Sequence, residues 1–389
     1  MNGLATRMMP YALSFFSSLC IMILELVASR LVARHVGASL SVWTSVIGIM
    51  LGGICLGNVL GGRLADRVDP VRAIGPLYAL GSFLTLSCLW MNAVVGSTSG
   101  LEFLPWDIRT VVVVTLDFLV PATVLGMIGP VVAKIAVERA RKTGSAIGDV
   151  YFWGAIGSIV GTFLAGFTLM YLATYSTIVT VVAAALALLA ALLIGDVRAA
   201  AVGLVASAFL GLGSIAPLVR VLPLRGVTLG SITVNPMALV GHVLTIGLAG
   251  FGIARLLAAR RAEEAAAAGD ATAGAETDRP RARLTDLAIL SFVASLAFMA
   301  LEIVAGRLVT RHLGSSIYGW TSVIGILLGG LSLGNYLGDK LADVIRSETQ
   351  ASWLFLVASI LTLWILLMET PPRWLSQLVL DDQRPVLSA

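Results

Sequence analysis

Leu13 to Asp66 reads LSFFSSLCIMILELVASRLVARHVGASLSVWTSVIGIMLGGICLGNVLGGRLAD, and Leu290 to Asp343 reads LSFVASLAFMALEIVAGRLVTRHLGSSIYGWTSVIGILLGGLSLGNYLGDKLAD. Aligned without a gap, 35 of the 54 positions are identical. A long internal repeat fixes the architecture before any local signal does, because each copy should fold alike. Both copies are continuously apolar through stretches of helical membrane-crossing length, about 20 residues for about 30 Å of hydrocarbon.

The composition agrees. Hydrophobic residues make up 58% of the chain and charged residues 12%, against about 25% charged in soluble domains. In hydrocarbon only helices and closed barrels satisfy their own backbone. The apolar runs here do not alternate, so the expectation is an all-α polytopic membrane protein. The net charge of +4 is no nucleic-acid signal, since the basic residues sit between apolar runs. Cys20, Cys55 and Cys88 all lie inside such runs, without metal-ligand or disulfide spacing.

Working outward from the repeat, the apolar runs predict about eleven spans. These lie at 13–33, 43–64, 73–95, 110–133, 146–170, 175–194, 202–219, 236–257, 287–310, 317–341 and 353–369. The organisation that follows is a first six-helix repeat over 1–195, two additional transmembrane helices over 196–257, a cytoplasmic flexible linker over 258–285, and a second repeat over 286–389. The second repeat reads as incomplete after about three helices. With the N-terminus placed in the cytoplasm, 17 Lys and Arg fall inside and 9 outside, which supports that orientation. Eight spans separate the two copies, so they face the same way and form a parallel repeat.

Glu25 and Glu302 lie about halfway along their spans, at 1.5 Å rise per residue near the bilayer midplane. A carboxylate there costs roughly 2.5 kcal/mol or more against lipid, so it should face the bundle interior. A substrate or proton role stands beside a structural pairing. Asp117 is an acid in the fourth span, four residues before Pro121, where the helix should kink and free carbonyls. Arg30 with Arg34, and Arg307 with Arg311, form pairs at i,i+4 on the outer ends of the first span of each copy. They are either a basic vestibule for a ligand or side chains that snorkel to headgroups. His35, His242 and His312 lack partners at ligand spacing, and no metal site is expected.

The glycines Gly48, Gly52, Gly53, Gly57 and Gly61 recur as Gly325, Gly329, Gly330, Gly334 and Gly338, in rows that let helices approach closely. Asn58 and Asn335 beside them read as interhelical hydrogen-bonding residues. Trp43 and Trp320 read as interface anchors.

Two features carry a family resemblance. Gly61-Gly62-Arg63-Leu64-Ala65-Asp66-Arg67, followed by Arg72, resembles the major facilitator signature between helices two and three. The second copy keeps Gly338, Leu341, Ala342 and Asp343 but has Asp339, Lys340 and Val344 where the first has Gly62, Arg63 and Arg67. The run ELVASR with RHVGASLSVWTS resembles the membrane region of bacterial fused major facilitator/spermidine-synthase-like proteins. That resemblance implies a bacterial cytoplasmic (inner) membrane location and a major-facilitator-like helix bundle. It also implies a gating or latching role for Asp66 and Asp343, with Arg67 or Arg72 as partners of Asp66.

In that family a soluble aminopropyltransferase-like domain commonly follows the membrane region. No glycine-rich strand-to-helix loop with a downstream acid occurs here. Aminopropyl transfer is therefore not expected of this chain, and it offers no catalytic constellation and no cofactor site. The expected function is transport or sensing of a small polar or cationic solute, polyamine-like by family analogy alone. The alternative is a non-transporting membrane module that anchors a soluble enzyme or completes its second repeat with a membrane or soluble protein partner.

Overall fold

The computed structural model describes residues 3–97, 101, 103–140, 143–196, 198, 201–203, 205–207, 227–229, 232–234, 236–269, 281–313, 317–342, 354 and 356–363. Its main elements are α1 (Gly3–Val36), α2 (Leu40–Arg67), α3 (Pro70–Ser97), α4 (Trp106–Arg139) and α5 (Thr143–Phe163). A π-helical turn, Leu164–Leu169, extends α5. Then come α6 (Tyr175–Ile194), a hairpin of β1 (Val227–Leu229) and β2 (Ile232–Val234), α7 (Pro236–Gly269), α8 (Arg281–Leu313) and α9 (Ile317–Ala342).

Eight of the described helices are long and apolar enough to cross a membrane: α1 to α6, α8 and α9. The chain is a multi-pass, helical membrane protein. Of the eleven expected spans, 202–219 is described, as helix, only at 202, 203 and 205–207, and 353–369 only at 354 and 356–363. The run at 236–257 is helical within α7.

The expected flexible linker over 258–285 differs from the fold in part. Residues 258–269 continue α7, and α8 begins at Arg281. The sequence ARRAEEAAAAG consists mostly of strong helix formers, and an apolar face is not needed to extend a helix already begun.

Short-range chemistry sets the helix ends. Gly37 takes a left-handed φ of 82° after α1, and Ser39 caps α2 by accepting from the Val42 amide at 3.3 Å. The Asp69 carboxylate accepts from the Val71 amide at 2.9 Å, and Pro70 opens α3 where its missing N–H is harmless. Gly195, with φ of 69°, closes α6.

Helix pairing follows the glycine rows. α2 lies along α4, where a Cβ on Gly53 would come 2.6 Å from the Ala122 Cβ and one on Gly57 would strike the Thr123 carbonyl. α1 lies along α5, where Gly157 and Gly161 admit the backbone of Phe15 and Leu19. The core between them holds Leu24, Leu26, Leu31, Phe118, Leu125 and Ile128, all fully buried. Three hydroxyls pin helices across it: Ser14 Oγ donates to the Val150 carbonyl at 2.7 Å, Tyr78 Oη to Leu13 at 2.9 Å and Ser82 Oγ to Ala183 at 2.7 Å.

Candidate functional site

The interior acids come from α1, α4 and α8. Glu25 is 7% exposed and Glu302 is 8% exposed. Among the described residues, neither carboxyl makes a hydrogen bond or an ion pair. The two glutamates hold the same place in the two sequence copies, and both are buried. A carboxyl buried without a partner either takes up a proton and is neutral or holds a cation, because an uncompensated buried charge is strongly unfavourable.

Asp117 is 1% exposed and belongs to a different network. Its Oδ2 accepts from Asn92 Nδ2 at 2.8 Å. The Asn92 carbonyl oxygen in turn accepts from Arg34 at 3.3 Å and from His35 Nε2 at 3.2 Å. Each neighbour fixes the amide: an acid needs its N–H, and two cationic-type donors need its oxygen. The other Asp117 oxygen, Oδ1, is buried without a hydrogen-bond partner. Pro121 removes the donor that would normally reach the Asp117 backbone carbonyl. Cys88 Sγ takes that place at 3.3 Å. α4 nevertheless runs as one helix through Pro121 and Pro130.

Asn92 had no place among the expected site residues. Its signal in the sequence is an amide in an otherwise apolar run, four residues after Cys88, so both side chains share one helix face toward Asp117.

The basic residues divide. Arg34 reaches inward to Asn92 although largely exposed, whereas Arg30 is half-buried and Arg307 is exposed. The side chains of Arg311 and His312 lie outside the described ones. The His242 ring accepts from Trp90 Nε1 at 2.8 Å, which places its own proton on Nδ1.

Near the C-terminal ends of α2 and α4, Asp66 meets Lys134 at 3.5 Å. The expected partner Arg72 instead pairs with Asp69 at 3.3 Å, three residues away on its own helix turn. The Arg67 side chain is exposed. Asp343 lies outside the described residues. Asn58 is exposed, with its Oδ1 alongside Gly129 of α4, and Asn335 is exposed on α9.

Trp43 and Trp320 depart from the expected anchoring role. Both are buried, and their rings stack at 5.4 Å and 11°. Gly306 opens the space for Trp320, since a Cβ there would strike its ring. Tryptophan at the start of a span suits an interface by composition, but here each indole finds its own counterpart.

No group of three or more His, Cys, Asp or Glu suited to a metal occurs among the described residues. A cleft of about 580 Å³ lined by Arg72, Arg255, Pro76 and Ile194 lies between α3, α6 and α7, away from all three acids. No family model, curated protein or solved structure matches the chain.

Proposed function

We propose that this protein transports or senses a small cationic solute, held between Glu25 and Glu302. The carrying observation is that these two acids, from equivalent places in the sequence, are both buried and have no hydrogen-bond or ion-pair partner among the described residues. A cation, such as an amine with more than one ammonium group, supplies the missing charge and the donors. Asp117, with its unpartnered Oδ1, is a further acceptor, and the Arg34–Asn92 network holds it from the outer side.

In this reading the bundle is major-facilitator-like, with two parallel copies, in the bacterial inner membrane, N-terminus in the cytoplasm. The internal repeat and the loop motif ending at Asp66 support it. The Asp66–Lys134 pair then latches the inner ends of α2 and α4.

The test is uptake of a labelled amine series, from monoamines to spermidine, by the protein in liposomes, alongside ligand-dependent thermal shifts in detergent. Glu25→Gln should abolish both responses while the unliganded protein stays folded. An unchanged response would remove the acid pair from the mechanism.

A second reading, a non-transporting membrane module, is favoured by one observation. Only 11% of the membrane-length window of α8 is buried, against 67% in α1. Wild-type protein that neither takes up nor is stabilised by any cation in the series would support the module.

A further inference from the structure

We propose that a cation entering between Glu25 and Glu302 displaces protons from them, so that the protein exchanges its solute for protons, one for each glutamate that becomes a carboxylate. This inference rests on the solute reading above and assigns its counter-ion. The carrying observation is an imbalance inside the bundle. Glu25, Asp117 and Glu302 are all buried, and among the described residues no lysine or arginine is. A buried carboxyl with no base to pair with is kept neutral by a proton.

The helices packed against α1 and α8 supply no such base. On α3 and α4 the buried ionisable side chains are Tyr78, Cys88 and Asp117, and on α1 Cys20, none of them positively charged. Those described on α2, α5 and α9, namely Cys55, Arg63, Asp66, Arg67, Asp149, Tyr151, Tyr318 and Tyr336, are exposed, and Tyr175 of α6 is half-buried. The half-buried cations lie elsewhere. His35 is on Asn92, Lys134 on Asp66 and Arg139 on Met9. Arg30 stands five residues after Glu25, about 140° round α1. Arg109 lies in the first turn of α4, at the end of α1 that Trp106 touches, about three turns from Glu25. Neither glutamate has a hydrogen bond or an ion pair with any of them.

Charge balance then fixes the exchange. Before solute enters, each glutamate is a neutral acid, which costs less in an apolar interior than a bare carboxylate. A monocation that binds turns one acid into a carboxylate, and the proton leaves for water on the side from which the solute came. A dication does the same to both acids. In either case the net buried charge is unchanged as the cation enters, so the interior never holds an uncompensated ion. On the return step protons take the place of the solute, so carrying a cation in one direction carries protons in the other. Protons and solute compete for the same oxygens. Rising pH therefore strengthens binding until the free acids have lost their protons.

The test adds putrescine, and separately methylamine, to the full detergent-solubilised chain in weakly buffered solution near neutral pH with a pH-indicating dye, the amine solutions being adjusted to the same pH. Equilibrium dialysis counts the amine bound. The diamine should release more protons per molecule bound than the monoamine, and its apparent Kd should fall about tenfold per pH unit for each proton displaced. Asp149→Asn, at an exposed acid of α5, should leave the release unchanged. Infrared spectra of the protein without amine should carry a protonated-carboxyl band that Glu25→Gln and Glu302→Gln each diminish. Binding with no proton release and no pH dependence, or a band that neither variant changes, would overturn the exchange and leave the cation site standing. Failure of every amine to bind to the folded protein would overturn the solute reading and the exchange with it.

Discussion

Asn92 sits between two donors and an acid, and removing its amide breaks the connection at both ends. Asn92→Ala should lower stability on the order of 2 kcal/mol, because it leaves Asp117 without its donor in a buried position. Denaturation of the detergent-solubilised protein checks this, and Arg34→Ala, which removes a largely exposed side chain, should cost less. At this scale the sequence was a good guide to which residues are interior. Charge inside an apolar run is expensive, so Glu25, Glu302 and Asp117 stood out without any structure. It was a poor guide to partners. Arg72 and Asp66 are neighbours in a motif, but Asp69 stands one turn from Arg72 and takes it first, and Lys134 reaches Asp66 from a helix that the motif does not contain.

Elements in this bundle meet through glycine, and the glycines are not equivalent. Gly57 faces the α4 backbone so closely that no side chain fits, whereas Gly52 has nothing within 4 Å. Gly57→Val should cost about 1–3 kcal/mol relative to Gly52→Val, since the helix-propensity change is the same in both and only the first forces α2 from α4. Thermal unfolding of the two variants side by side reads the difference. The helices themselves were legible as apolar runs. Which glycine row meets which helix was not, because the rows recur with the repeat while their neighbours do not. The continuation of α7 to Gly269 was also obscured: an Ala- and Glu-rich segment reads as polar linker and as helix former alike, and a preceding helix decides between them.

Across the whole molecule, the repeat in the sequence becomes a set of meetings between equivalent residues. Trp43 and Trp320 should show a coupling of about 0.5–1.5 kcal/mol in a double-mutant cycle to Leu, the range for stacked aromatic pairs. Two independent membrane anchors would show none. The repeat was plain from the sequence, yet the place where its copies touch follows from tertiary packing, which no local pattern encodes. Glu25 and Glu302, a second pair of equivalent residues, are both buried. In the proposed function these two acids form one cation site. The direct test is calorimetric titration of a polyamine into the detergent-solubilised protein, comparing wild type, Glu25→Gln, Glu302→Gln and the double variant. One site shared between the acids predicts that each single variant loses binding and that the double variant loses no more. Binding that survives either single change, or losses that add in the double variant, would mean that the two acids do not hold one ligand between them.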